Sequence, residues 1–180
     1  MILLLSIIIG AVCLDQLTKW LAVIYLQGEP SFPLWKDVLH FTFIKNEGAA
    51  FGMLSQHRWV FMIVSTVAIV GLSVYLFRHR KDSLWVQIPL AMIVGGGIGN
   101  MIDRLVLGYV IDFIDFTLIN FAVFNVADSF VSVGAVTLMG YLIVDLVKEI
   151  LRAKRTAEKQ TEEEQGAPEA VEDGDKSNGA

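Results

Sequence analysis

The sequence is poor in the residues that carry most metal sites, crosslinks and nucleophilic catalysis. Its single cysteine, Cys13, can form neither an intrachain disulfide nor a thiolate metal cluster. Its three histidines are scattered, and the HExxH, GxSxG and GxGxxG motifs are all absent. We therefore expect no metal and no organic cofactor in this protein.

Charge is also scarce, and much of the acidic charge lies in one place. Charged residues make up 18% of the chain and hydrophobic residues 54%, which is too little polar surface for a soluble domain and indicates an integral membrane protein. The net charge of −5 arises from residues 156–180, which hold eight acidic and two basic residues. The acidity is thus a property of the tail, and we expect no nucleic-acid partner.

Four apolar runs are each about long enough to cross a bilayer, at residues 2–26, 59–77, 84–103 and 126–147. They predict the fold class, an α-helical polytopic membrane protein with four transmembrane helices. The first run lacks the charged start of a cleaved signal peptide, which favours a retained helix. A lipid-modified Cys13 is disfavoured because the branched Val12 precedes it where a small residue is needed.

The segments outside these runs differ in character. Residues 39–45 and 110–116 are rich in β-branched and aromatic residues and predict short strands. Residues 156–180 contain too few apolar residues to order themselves and are predicted to be disordered. The predicted domains are therefore a four-helix transmembrane domain at 1–155 and a disordered acidic cytoplasmic tail at 156–180.

The basic residues predict how the chain lies in its membrane. Clusters at residues 78–81 and 148–155 fall on the same side if there are four spans, and the positive-inside rule makes that side cytoplasmic. Both termini would then be cytoplasmic. The loops at 27–58 and 104–125 would face outward, so that polar residues near them gather at the outer leaflet.

Residues 95–128 place amide and ionisable side chains in apolar surroundings, where each is a functional hypothesis. Three of them lie three or four residues apart on the third run, which a helix places on one face. Two more repeat the three-residue spacing at the start of the fourth run, and two lie on the connection between the runs. The set comprises Asn100, Asp103, Arg104, Asp112, Asp115, Asn125 and Asp128.

Other polar positions are open to more than one interpretation. Asp15 and Lys19 are four residues apart on the first run and fit a structural ion pair as well as a site. Asn46 fits a turn former and a site residue equally well. Gly95 and Gly99 are also four apart, and we interpret them as a small face for helix packing.

Two functions are compatible with this polar set on spacing alone. Two close carboxylates cannot both ionise readily, so one retains its proton and the pair supplies an acid and a base together, which suits hydrolysis of an amide by water. The alternative is a small proton-coupled transporter or channel, which also uses intramembrane Asp, Asn and Arg side chains.

The polar motifs resemble those of lipoprotein signal peptidase (signal peptidase II), a family of bacterial membrane aspartyl proteases. Each motif is weak alone, but five in the right order across all four runs form a specific set. Residues 47 and 122 depart from the usual pattern, which affects the outer loops rather than the reaction. The motifs are DQLTK at 15–19, NEGAAFG at 46–52, GNMIDR at 99–104, VIDF at 110–113 and FNVADS at 124–129.

The resemblance implies a fold, a reaction and a location. The fold would be four transmembrane helices with a small extracytoplasmic β-sheet, in the bacterial cytoplasmic membrane and in contact with its lipids. The enzyme would cut a prolipoprotein before a lipobox cysteine that carries a diacylglyceryl group, and globomycin would inhibit it. Asp112 and Asp128 would be the catalytic dyad. The residues that would bind substrate or support the dyad are Asp15, Lys19, Asn46, Gly48, Asn100, Asp103, Arg104 and Asn125.

Overall fold

The computed structural model describes residues 1–48, 58–79 and 81–166. Two compact units divide the chain, Met1–Tyr141 and Leu142–Ala180. In chain order, the elements are α1 (Ile2–Leu26), β1 (Phe32–Trp35), β2 (Leu39–Asn46), α2 (Arg58–Arg78), α3 (Leu84–Val106), β3 (Val110–Asp115), a 3-10 helix (Thr117–Ile119) and α4 (Val126–Gly166).

The helices have the apolar character that the sequence predicts. Within the described residues, α1, α3 and the segment Val126–Ala157 of α4 are long and apolar enough to cross a membrane by length and composition. Helix α2 contains a shorter apolar stretch, Met62–Arg78. The chain is thus mostly helical with a small sheet, as predicted, and α2 is the predicted span with the shortest apolar segment.

Helix α4 is longer than the apolar run that predicts it. We expected disorder from residue 156, whereas the helix continues to Gly166. The physical reason lies in local preference, because residues 157–165 consist of Ala, Glu, Lys, Gln and one Thr, and all but the Thr are strong helix formers. The lack of apolar surface in these residues carries no information about their helix propensity. Residues 167–180 lie outside the described residues.

The sheet has three antiparallel strands in the order β1-β2-β3. Strands β2 and β3 coincide with the segments predicted from composition, and their pairing sets Ile44 opposite Asp112 and Asn46 opposite Val110. The sequence did not predict β1, because Pro33 indicates a turn. A proline is tolerated there since β1 is an edge strand, where a missing N–H leaves no ladder partner unpaired.

Small residues let α3 approach its neighbours closely. A side chain at Gly95 would overlap Ala11 of α1, and one at Gly96 would overlap the backbone of Ala127 at the start of α4. At Gly99, a Cβ atom would lie 2.5 Å from a carboxylate oxygen of Asp15. The predicted packing role of these glycines is correct, and the close approach brings polar groups of three helices together.

Two apolar clusters hold this arrangement in place. The first joins α1, α2 and α3, and the second packs α1 against β3. The second cluster fixes the strand that carries Asp112, because Ile111 and Phe113 on either side of it are members. The buried members are Leu4, Leu76, Leu90, Ala91 and Val94 in the first cluster, and Ala22, Ile111 and Phe113 in the second.

Candidate active site

Three buried ionisable side chains form an ion cluster between α1 and α3. The ammonium of Lys19 lies 2.9 Å from an oxygen of Asp15 and 3.0 Å from an oxygen of Asp103. All three residues are at most 2% exposed. The side-chain amide of Gln16 adds a hydrogen bond to Asp103 at 3.0 Å. The Asp15–Lys19 pair, which the sequence left open, is therefore part of a cluster in which one cation balances two carboxylates.

The start of α4 holds Asp128 in a fixed position. The side-chain oxygen of Asn125 accepts the backbone N–H of Asp128 at 2.9 Å, and the Asp128 carboxylate accepts the backbone N–H of Asn125 at 3.2 Å. This reciprocal pair is a capping box, which satisfies two N–H groups that lack partners at a helix start. A third N–H group at the helix start, the backbone N–H of Ala127, donates to a carboxylate oxygen of Asp15 at 3.0 Å. Asp128 is therefore anchored by the same bonds that begin the helix.

Asp112 lies on β3 and is 1% exposed. Backbone pairing between Ile114 and Phe124 lays the segment that precedes α4 against β3. Asn125 can consequently donate to one Asp112 oxygen at 2.6 Å, and Asn46 on β2 donates to the other at 2.8 Å. Both oxygens of this buried carboxylate thus receive an amide N–H.

Neighbouring donors set the orientation of the side-chain amides of Asn46 and Asn100. The backbone N–H of Gly48 donates to the side-chain oxygen of Asn46 at 3.1 Å, which leaves the Asn46 amino group for Asp112. The ammonium of Lys19 donates to the side-chain oxygen of Asn100 at 2.8 Å. The Asn100 amino group then faces Asp128 and donates to it at 2.7 Å. Because an ammonium can only donate, the Asn100 assignment follows from chemistry.

The environment of Asp112 changes its acidity. Burial raises the pKa of Asp112 from 3.8 to about 6. The hydrogen bond from Asn46 opposes this rise, while the negative charge of Asp128 adds to it. The hydrogen bond from Asn125 and the charge of Lys19 lower the pKa by less. Asp112 therefore keeps its proton to a higher pH than an exposed aspartate would.

A cavity of about 870 Å³ opens beside the two carboxylates. Asp112, Asp128 and Arg104 line its polar side, and apolar side chains such as Phe121 and Val133 line the remainder. The guanidinium of Arg104 is half-buried at this wall. The cavity thus offers two carboxyl groups, a cation and an apolar wall to one bound molecule.

The structure brings all ten sequence-predicted site residues into one connected region of the first unit. Their roles remain predictions, and residues 49–52 of the second motif lie outside the described residues. Sequence reasoning did not single out Gln16, although its place beside Asp15 in the first motif was an available signal. It also missed Phe121, for which no spacing gave a signal. The ten residues are Asp15, Lys19, Asn46, Gly48, Asn100, Asp103, Arg104, Asp112, Asn125 and Asp128.

Comparison with known sequences decides the family. The profile of a family described as signal peptidase (SPase) II matches residues 7–144, a range that contains every predicted site residue. The chain belongs to the signal peptidase II family. It is accordingly related to proteases, and the transporter alternative is not favoured.

Individual relatives agree with this assignment to the signal peptidase II family. A lipoprotein signal peptidase of Caldanaerobacter subterraneus is 49% identical over 138 residues, which cover 77% of this chain and 93% of the relative. A lipoprotein signal peptidase of Brevibacillus brevis is 42% identical over 135 residues, covering 75% of this chain and 88% of the relative.

Solved structures support the fold. A structure described as a bacterial membrane enzyme, solved in meso at 2.3 Å resolution, superposes with a TM-score of 0.73 and 32% sequence identity over 79% of this chain and 88% of its own. A second, solved at 1.9 Å, gives a TM-score of 0.69 at 32% identity, over 77% of this chain and 91% of its own. The apolar helices and these neighbours indicate a bacterial membrane protein.

Proposed function

We propose that this chain is an aspartic endopeptidase that removes the signal peptide from prolipoproteins, cutting before a cysteine that carries a diacylglyceryl group. The observation that carries the proposal is the pair Asp112 and Asp128 at one cavity, linked through the amides of Asn100 and Asn125. The family and the names of its relatives support the substrate class.

The two carboxylates would divide the work of hydrolysis. Asp128 would act as the general base and take a proton from a water molecule whose oxygen attacks the scissile carbonyl carbon. Asp112, the protonated member, donates its proton to the carbonyl oxygen. When the tetrahedral intermediate collapses, the C–N bond breaks and the amine leaves with the proton that Asp128 accepted. A hydroxyl of the intermediate returns its proton to Asp112 as the C=O bond of the carboxyl product forms, which restores both members of the dyad. The raised pKa of Asp112 supports this division, because it keeps a donor available close to neutral pH.

The remaining site residues would position the dyad or the substrate. Lys19 acts through Asn100, whose orientation it fixes, and Gly48 acts through Asn46 in the same way. Arg104 lines the cavity and would meet a peptide carbonyl or a lipid ester, both of which accept hydrogen bonds. The apolar wall that includes Phe121 and Val133 suits the acyl chains of the substrate or of membrane lipids.

We further propose that both termini are cytoplasmic and that the sheet and the dyad lie at the outer leaflet of the bacterial cytoplasmic membrane. The basic clusters at residues 78–81 and 148–155 support this orientation. Reporter fusions at residues 35 and 118 should then read as external, and a fusion at residue 81 as cytoplasmic. A cytoplasmic signal at residue 118 would reverse the assignment. The division into a peptidase domain at 1–155 and a tail at 156–180 belongs to this proposal.

The direct experiment is incubation of the purified protein with a prolipoprotein in two forms, with and without the diacylglyceryl group. Release of the signal peptide from the lipidated form, and its block by globomycin, is the expected result. The Asp112→Asn variant serves as the matched control. Equal cleavage of both forms would contradict the proposed substrate. Proton or ion flux in liposomes without cleavage would favour the transporter alternative.

A further inference from the structure

One face of helix α4 is fixed against α3, which determines where its other side chains lie. A Cβ atom at Gly96 would overlap the backbone of Ala127 and the side chain of Val131, so these two residues, four positions apart, lie directly against α3. Asp128 and Ser132 each follow one of them, and a step of one residue turns a helix by about 100°. Both side chains therefore share the adjacent face of α4, and both line the cavity.

Ser132 lies on that face one helical turn beyond Asp128. Four residues advance a helix by about 6 Å along its axis, and the residue after Ser132, Val133, belongs to the apolar wall of the cavity. The side chain of Ser132 is exposed. Ser132 therefore lies where the polar side of the cavity, with its two carboxyl groups, meets the apolar wall.

The two serine hydroxyls at the cavity differ in their hydrogen bonds. Ser129 donates to the backbone carbonyl of Asn125, four residues earlier, at 3.0 Å, which is a common bond for a serine within a helix. Among the described residues, Ser132 makes neither the corresponding bond to the carbonyl of Asp128 nor any other. Ser65 of α2 also lacks a partner among these residues, but it does not line the cavity. Ser132 is thus the cavity serine whose hydroxyl remains available to a bound molecule.

We propose that Ser132 is a substrate-binding residue whose hydroxyl donates a hydrogen bond to a carbonyl oxygen of the bound prolipoprotein. The inference rests on the proposed peptidase function and names a further residue of that site. A carbonyl oxygen can only accept, so it needs a donor once the cavity has removed it from water. Two kinds of carbonyl group lie near the cleavage point of this substrate, the esters that carry the acyl chains and the peptide groups of the signal peptide. The esters lie between a polar and an apolar part of the substrate, as Ser132 lies between the two parts of the cavity.

Steady-state cleavage of a diacylglyceryl-modified prolipoprotein by the full-length protein in detergent tests the role of Ser132. Ser132→Ala should raise KM about 2- to 10-fold with kcat unchanged, because the lost hydrogen bond holds the ground state and the transition state equally. Ser132→Thr keeps a hydroxyl and should keep the original KM. Ser65→Ala is the matched control, and its KM should not change. Alanine is the strongest helix former, so a rise in KM would not come from a weakened helix.

A substrate with ether-linked alkyl chains, which has no ester carbonyl, identifies the acceptor. If an ester is the partner, the unaltered protein and Ser132→Ala should show the same KM for the ether-linked substrate. If a peptide group is the partner, Ser132→Ala should raise KM by the same factor for the ether-linked and the ester-linked substrate.

Three results would overturn the role of Ser132 and leave the peptidase function intact. They are normal cleavage with an unchanged KM for Ser132→Ala, a raised KM that is equally high in Ser132→Thr, and an equal rise in Ser65→Ala. Failure of the unaltered protein to cleave the lipidated prolipoprotein would instead overturn the peptidase function and the role of Ser132 together.

Discussion

The first unit contains two carboxylate clusters that use the same residue types and differ in what balances them. In the inner cluster, Asp15 and Asp103 share the ammonium of Lys19. In the outer cluster, Asp112 and Asp128 receive N–H groups from amides and backbone, and no direct ion pair reaches either of them among the described residues. The inner carboxylates therefore have a buried cation beside them, whereas the outer carboxylates meet only neutral N–H donors.

The comparison shows how one cluster can serve the other. Asn100 belongs to both, since its oxygen accepts from Lys19 and its amino group donates to Asp128. The inner cluster thus fixes the orientation of an amide that the outer cluster needs. If the two clusters had the same role, substitutions in the inner and the outer cluster would have the same effects on activity, stability and pH dependence. Acidic residues outside both clusters provide a further comparison for the outer cluster.

The largest expected effect is on the reaction. Asp112→Asn and Asp128→Asn should each lower signal-peptide release by about 10²–10⁴-fold, the usual contribution of a general acid or base. Both variants should still insert, because asparagine preserves the shape of each side chain. The measurement is peptide release at matched membrane levels. Near-normal activity of either variant would remove that residue from the dyad.

The next largest effect is on stability and comes from the inner cluster. Lys19→Met should lower the free energy of unfolding by about 3–5 kcal/mol, because it leaves two buried carboxylates without their cation. Unfolding in detergent by denaturant or heat measures the loss. Lys36→Met, a change at an exposed lysine, is the matched control and should have little effect. A Lys19 variant as stable as that control would show that the inner cluster has no structural role.

A smaller effect is the pH dependence of stability that the outer cluster contributes through Asp112. The pKa of Asp112 rises from 3.8 to about 6 on folding, so the folded state binds more protons between these values. The free energy of unfolding should therefore fall as pH rises through this window, by up to about 3 kcal/mol from this group. Asp112→Asn should lack this component. Identical pH dependence of the two proteins, measured by unfolding in detergent, would contradict the burial argument.

The smallest effects are expected at carboxylates outside both clusters. Asp115 lies three residues beyond Asp112 on β3, on the other face of the strand, and accepts a hydrogen bond from Thr42 at 3.1 Å. Asp115→Asn should keep much of its activity, and Asp145→Asn, at an exposed position of α4, nearly all. The same peptide-release assay checks both variants. Inactivity of Asp145→Asn would show that activity depends on acidic residues in general.

Periodicity and composition were sufficient to predict much of the fold. The apolar runs gave α1 and α3 nearly to the residue, and β-branched and aromatic residues gave β2 and β3. Composition could not predict β1, because an edge strand tolerates the proline that signals a turn. It also misplaced the end of α4, where helix propensity outweighs the lack of apolar surface.

The site was only partly predictable. Intramembrane polarity singled out the residues, and i, i+3 or i, i+4 spacing grouped those on one helix. Spacing along a single helix cannot show that Lys19 reaches Asp103 on α3, or that Asn46 reaches Asp112 across two strands. Those contacts depend on the close helix approach at Gly95 and on the register of the sheet, which are tertiary properties.

The capping box at the start of α4 has a consequence for inhibitor resistance. Asn125 and Asp128 begin a helix, and Asp128 also lines the cavity, so a substitution at Asp128 would loosen the helix start as well as change the cavity wall. A compound that took its main contact from Asp128 would leave the bacterium few single-step escape mutations at that contact, because each would carry a fitness cost in protein folding besides any loss of activity.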